Sequence, residues 1–189
     1  MKHLKITIAG MPGAGKTTVG SIVAKTLGYD FYSMGNIRRA LAGKRGMSID
    51  QFNNLQENTD KDVDEYLQEI GRREDASVVE GRMAWHFIPE TLRVFVTVDQ
   101  QVGALRILHD KRHGERAIFP YEMMKTLAER VENDKARYNK LYGVDPYNMK
   151  NFDAVVDTTH MSVDEAVTDI LTTYYLAEMA YQNILKTKE

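Results

Sequence analysis

The stretch GMPGAGKTT, residues 10–18, sets glycines, a lysine and two threonines between the apolar segment LKITIA and the helix-like segment VGSIVAKTLG. Gly10, Gly13 and Gly15 permit turns and close approaches that a Cβ would block, so successive backbone N–H groups can line a concave loop. The positive end of the following helix dipole points into that loop, and Lys16 adds a full charge. Gly10, Met11, Pro12, Gly13, Ala14, Gly15, Lys16, Thr17 and Thr18 therefore make a cup for phosphates. The spacing G-x-x-x-x-G-K-T is that of a P-loop, whose lysine reaches the β- and γ-phosphates of a nucleoside triphosphate and whose threonine hydroxyl, here Thr17, ligates Mg²⁺.

A P-loop alone does not separate motor, switch and kinase. A GTPase switch carries N-K-x-D, but NKLY at 139–142 ends in Tyr142. A hydrolytic motor ends a core strand in two acidic residues, whereas VFVTVDQ ends in Asp99 and then Gln100. Transfer to a small phosphorylated acceptor needs cations around a second anion and around the phosphoryl group in flight. Arg38 and Arg39 follow the second apolar segment, Arg82 follows the third, and Arg106, Lys111, Arg112 and Arg116 surround a short basic loop. Arg130 and Arg137 are about two helical turns apart with Asp134 between them, so one helix face presents two cations and a carboxylate. Arg130 and Asp134 alone would be an i,i+4 surface pair worth a few tenths of a kcal/mol. Beside a P-loop and arginines at two strand ends, the pattern favours a phosphate clamp. Arg38, Lys44, Arg72 and Arg73 are expected to be solvated charges.

These groups need a scaffold. Alternation at Leu4, Ile6 and Ile8 predicts a strand running into the loop, and helical spacing follows from about Lys16 to Leu27. GYDFYSMG, ASVVEGR, LRVFVTVD and FDAVVDTT read as further strands, ASVVEGR and LRVFVTVD apolar enough for a parallel sheet covered on both faces. Between them fall a polar helical region with breaks near 43–46 and 58–60, a helix from Gln100 to about Arg112, and a long helix from Pro120 to Tyr142. Ser162 and Glu165 have capping-box spacing for a last helix toward Lys186. This alternation predicts an α/β fold with a five-stranded, mostly parallel sheet and its ligand at the carboxyl ends of the strands.

A chain of 189 residues favours one domain over 1–189, and 43% hydrophobic with 28% charged residues is ordinary for a globular protein. The formal net charge of −2 gives no general drive toward nucleic acid or anionic membrane. Without cysteine there is no disulfide, no thiolate metal site and no Cys nucleophile. No run approaches a membrane span or a signal peptide, which predicts a cytoplasmic protein.

The segments YSMGNIRRAL, GMSIDQF, VVEGRMAW, ERVENDKARYNKLYGVD and FDAVVDTT, together with the P-loop, resemble the nucleoside monophosphate kinases, above all the archaeal-type cytidylate kinases, over nearly the whole chain. E-G-R after the third strand and R-x-x-x-D-x-x-R-Y before Y-G-V-D make the resemblance specific. It implies a P-loop NTPase fold with a mobile monophosphate-binding region at 36–73 and a short lid at 113–119. It also implies a monomer that uses ATP and Mg²⁺ to phosphorylate CMP, and dCMP as well, with small nucleotides as its partners. Residues 10–18 would then hold ATP, while Ser33, Arg39 and Arg82 bind the acceptor, the arginines gripping its phosphate. Lys16, Arg82, Arg130 and Arg137 form the implied catalytic set, and Asp134 orients the phosphates or touches the base. Asp64 would read the base, Glu80 would hold a Mg²⁺-bound water beside Thr17, and Arg106, Arg112 and Arg116 would act from the lid. Met34 and Asn36 stand where the family commonly has threonine and an acidic residue, and Trp85, His86 and Phe87 could either wall the base pocket or pack. The rival readings are an adenylate or uridylate kinase, a kinase of another small metabolite, and an adenylate-kinase-like ATPase that assists ribonucleoprotein assembly.

Overall fold

Lys5–Gly10 forms strand β1, and its neighbours on both sides run parallel to it, so the sheet is buried where its residues are most apolar. The computed structural model describes residues 3–47, 51–52, 59–73, 75–110 and 119–187. The other strands are β2 (Asp30–Ser33), β3 (Ser77–Glu80), β4 (Thr91–Thr97) and β5 (Ala154–Asp157), in the spatial order β2-β3-β1-β4-β5. All four pairings are parallel, a stricter arrangement than the mostly parallel sheet expected.

The helices are α1 (Lys16–Leu27), α2 (Met34–Lys44), α3 (Thr59–Arg72), α4 (Ala84–Phe87), α5 (Gln100–His109), α6 (Pro120–Tyr142) and α7 (Val163–Lys186). Period-two alternation sends Ile6, Ile8, Val94 and Val96 into a core shared with α1 and α7. Ala9 and Phe95 point to the other face, where they meet Trp85, Val131 and Tyr147. Ser162 and Glu165 form the expected capping box at the start of α7. Asp99 accepts hydrogen bonds from the amides of Gln101 and Val102 at 2.8 and 3.1 Å, so its carboxylate is spent as the N-cap of α5. The expected end of α5 at about Arg112 lies outside the described residues, and its helical hydrogen bonding is observed as far as His109.

The described residues of the polar segment 36–73 are better packed than their sequence suggests. Val63, Leu67 and Ile70 make one buried stripe on α3 against Met34, Val79 and Ile88. Lys5 Nζ donates to the Gly71 carbonyl at 3.0 Å and to that of Arg73, which satisfies carbonyls at the end of α3 and ties that helix to the sheet.

Gly13 has φ +77°, and a Cβ there would stand 2.4 Å from the Gly103 carbonyl oxygen on α5. The P-loop therefore lies directly on the first turns of α5, an approach that only glycine permits. Gly13→Ala should destabilise the fold by more than about 1 kcal/mol and weaken ATP binding, measurable by thermal unfolding and titration calorimetry. Unchanged melting and unchanged affinity would contradict this geometry.

Candidate active site

Backbone geometry shapes the loop first. The Met11 amide donates to the Val96 carbonyl at 2.9 Å, and a Cβ on Gly10 would sit 1.9 Å from that same oxygen. Lys16 Nζ donates to the Met11 carbonyl at 2.7 Å, which holds the ammonium across the mouth of the loop. Gly10, Pro12, Gly13, Gly15, Lys16 and Thr17 line the central cleft. Met11 instead packs against the cores on either side of the sheet, Ala14 is buried, and the Thr18 side chain is exposed.

Strand alternation then delivers Glu80. It follows Val78 by two residues and so faces α1, where Thr17 occupies the first turn. Thr17 Oγ1 donates to Glu80 Oε2 at 3.1 Å, and Ser33 Oγ, one strand over in register, donates to the same oxygen at 2.5 Å. Ser33 Oγ also accepts from the Asn36 amide at 3.3 Å as the N-cap of α2, so its hydroxyl is committed to the protein. Among the described residues no group of three or more His, Cys, Asp or Glu could hold a metal by itself. One hydroxyl and one carboxylate at the foot of a phosphate cup do fit Mg²⁺, which keeps waters and relies on substrate phosphates for much of its shell.

Opposite the loop, Arg38, Arg39, Asp64, Arg82, Arg130 and Tyr138 complete the cleft wall. Arg39 is exposed and donates to Asn36 Oδ1 at 2.5 Å. Asp64 accepts a hydrogen bond from the Tyr142 hydroxyl, which joins α3 to the end of α6. Arg82 Nε lies 2.7 Å from Asp134 Oδ2, and Tyr147 donates to that oxygen at 2.8 Å. Arg137 Nη2 reaches Asp134 Oδ1 at 3.3 Å and the Tyr138 hydroxyl at 2.9 Å, with its guanidinium 4.7 Å from the Tyr138 ring centre. Burial works against the Arg82 charge, but Asp134, with Tyr147 and Tyr138, raises its pKa above the ordinary arginine value. Burial pushes the Tyr147 phenol up to about 12, with Arg82 opposing and Asp134 reinforcing the shift.

The structure thus brings Lys16, Thr17, Arg39, Asp64, Arg82 and Arg130 to one cleft, with Glu80 at its base. Asp134 and Arg137 do not line it, and both Asp134 oxygens are engaged by protein groups, two of them arginines. Arg106 is on α5, donating to the Thr158 hydroxyl and carbonyl at 3.0 and 2.8 Å, beside the segment that follows β5. Arg112, Arg116 and all of the 113–119 segment except Phe119 lie outside the described residues.

Arg38 corrects the expectation of a solvated charge: it is 6% exposed, lines the cleft, and sits 5.6 Å from the ring centre of buried Phe52. The signal was the stripe Met34, Arg38, Ala42 at helical spacing, all buried on α2. Arg72 and Lys44 are exposed as expected, and Arg73 is partly covered, reaching Glu69 at 2.7 Å and stacking on Tyr32. Trp85 packs edge-on to Phe152 at 5.6 Å and Phe87 joins the α3 core, so this aromatic run is packing and does not wall the cleft. Tyr138 and Tyr147 were missed as site residues; Tyr138 continues the i, i+4 stripe from Arg130 and Asp134, whereas Tyr147 carries no spacing signal.

Residues 5–160 match the model of the cytidylate kinase-like family. A cytidylate kinase of Archaeoglobus fulgidus is 34% identical over 172 residues, covering 89% of this chain and 93% of that one. An S-adenosylmethionine-dependent nucleotide dehydratase of Lacinutrix mariniflava is 30% identical over 184 residues, 95% of this chain but 37% of its own length. In fold, a shikimate kinase from Bacteroides thetaiotaomicron is similar with a TM-score of 0.65 at 17% identity, covering 90% of this chain and 97% of that one.

Proposed function

Because the chain belongs to the cytidylate kinase-like family, we propose that it transfers the γ-phosphoryl group of ATP to CMP, and to dCMP, releasing ADP and the nucleoside diphosphate. The observation that carries this reading is a cleft in which Lys16 and the P-loop face Arg39, Arg82 and Arg130, cations for a donor and for a phosphorylated acceptor. No side chain acts as nucleophile. An oxygen of the acceptor phosphate attacks in line, and the protein supplies position, charge neutralisation and exclusion of water.

Lys16 holds the β- and γ-phosphates, Arg39 and buried Arg38 receive the acceptor phosphate, and Arg82 and Arg130 meet the charge on the group in flight. Thr17 and Glu80 would hold Mg²⁺, whose chemistry is to neutralise charge between the β- and γ-phosphates. In this reading Asp64, which lines the cleft, reads the acceptor base. Asp99 is used as a helix cap, which leaves the end of β4 without a free carboxylate to polarise water and speaks against hydrolysis as the main activity. Segment 36–73 is the monophosphate-binding region in this reading, and the enzyme acts as a monomer on free nucleotides. Among the described residues no helix is long and apolar enough to cross a membrane.

A coupled ADP-release assay over CMP, dCMP, UMP, AMP, GMP and shikimate tests the proposal. CMP should give the highest kcat/KM. A base-edge partner left unpaired costs about 1 to 3 kcal/mol, so each lost contact should cost a competitor roughly tenfold to a hundredfold. A higher specificity constant for AMP or shikimate would overturn the assignment to CMP.

A further inference from the structure

Arg82 is anchored in an unusual way for a residue that must meet a mobile phosphoryl group. Its Nε donates to the Tyr147 hydroxyl at 3.2 Å and stands 2.7 Å from Asp134 Oδ2 as an ion pair, while Tyr147 donates to that same carboxylate oxygen at 2.8 Å. The three groups close a triangle at Nε, and neither Asp134 nor Tyr147 lines the cleft that Arg82 lines. Among the described residues neither terminal nitrogen of Arg82 has a protein partner, although the side chain is only 22% exposed and lines the cleft with Lys16. We propose that Tyr147 is a positioning residue for Arg82: the phenol and Asp134 set the plane of the guanidinium from its Nε side, so that both terminal nitrogens face the transferring phosphoryl group. The proposal rests on the phosphoryl-transfer reading above.

The reason lies in the freedom an arginine has. A guanidinium turns about its Cδ–Nε bond, and one partner at Nε leaves a range of planes open, whereas two partners that also bond each other narrow it. Tyr147 is well placed to do this. Its amide donates to Asp145 Oδ1 at 2.8 Å, fixing the turn after α6, and its ring belongs to the core with Phe95, Trp85 and Val131. The hydroxyl is thus referenced to the sheet, and through it Arg82 is referenced to the sheet as well. The phenol, which burial pushes up to about 12, is protonated at neutral pH and donates to Asp134.

Tyr147→Phe keeps the ring and removes the hydroxyl. Steady-state kinetics are measured with the acceptor that the wild type turns over best, together with melting temperature and the Nε–Hε resonance of Arg82 in a ¹⁵N-labelled sample. The expected result is a fall in kcat of about tenfold with a raised acceptor KM, an ATP KM within about twofold of wild type, and a shifted, faster-exchanging Arg82 signal. Ile170→Val, a core change on the opposite face of the sheet, should lower the melting temperature and leave those kinetic constants alone. Wild-type kcat and acceptor KM in Tyr147→Phe would overturn the proposal. If the wild type phosphorylates no nucleotide, the proposed function falls separately, and an Arg82 resonance unchanged by Tyr147→Phe then overturns the positioning role.

Discussion

Lys16→Ala should lose phosphoryl transfer by a factor of about 10³ or more while melting within about 2 °C of the wild type. The ammonium lines the cleft and spans the loop mouth to the Met11 carbonyl, so its charge faces the cleft and not the hydrophobic core. A single neutral donor aimed at developing charge is worth about 10² to 10³ in rate, and a lysine adds a full charge to that. Away from buried features, substitutions usually change stability by no more than about 0.5 kcal/mol, which for a chain of this size moves the melting temperature by about 1 to 2 °C. Equal melting with near-normal turnover would remove Lys16 from the mechanism and with it the reading of GMPGAGKTT as the donor site.

Why the strands and the loop were legible in the sequence is a matter of period. Ile6 and Ile8 alternate into one core, Val78 and Val79 point to opposite cores, and Glu80 then falls beside Thr17 because a strand has no other way to present it. The P-loop carries its own backbone requirement, visible as the glycines at 10, 13 and 15. What was not legible depended on partners distant in the chain. Arg38 looks like any surface arginine until α2 packs with Phe52 against it, and α3 looks polar until Val63, Leu67 and Ile70 are seen to share one face. Tyr147 follows Arg82 by 65 residues, and nothing local to either announces the contact. Asp99 could be read as a strand-end carboxylate only until its oxygen was found on the first amides of α5.

The long helix α6 separates two arginines that its sequence spacing treats alike. Both lie on one face about two turns apart, yet Arg130 lines the cleft and Arg137 turns to Asp134 and the Tyr138 ring. Arg130→Ala should therefore lower kcat by about 10³ to 10⁵, the range for an arginine that meets transition-state charge, with ATP affinity and melting temperature nearly unchanged. Arg137→Ala should lower kcat less and stability more. It takes one of two cations from a carboxylate that is 9% exposed, and loss of a hydrogen bond to a buried charged group costs about 1.5 to 3 kcal/mol. An exposed ion pair would cost only about 0.2 to 1 kcal/mol, so melting temperature alone distinguishes Arg137 from ordinary surface. Measuring kcat, acceptor KM and melting temperature for both single variants and the double variant resolves the two roles. Should both single variants keep most of the wild-type kcat with acceptor KM unchanged, this face of α6 is not the clamp. Arg82 would then need its further cationic partners from Arg106, Arg112 or Arg116.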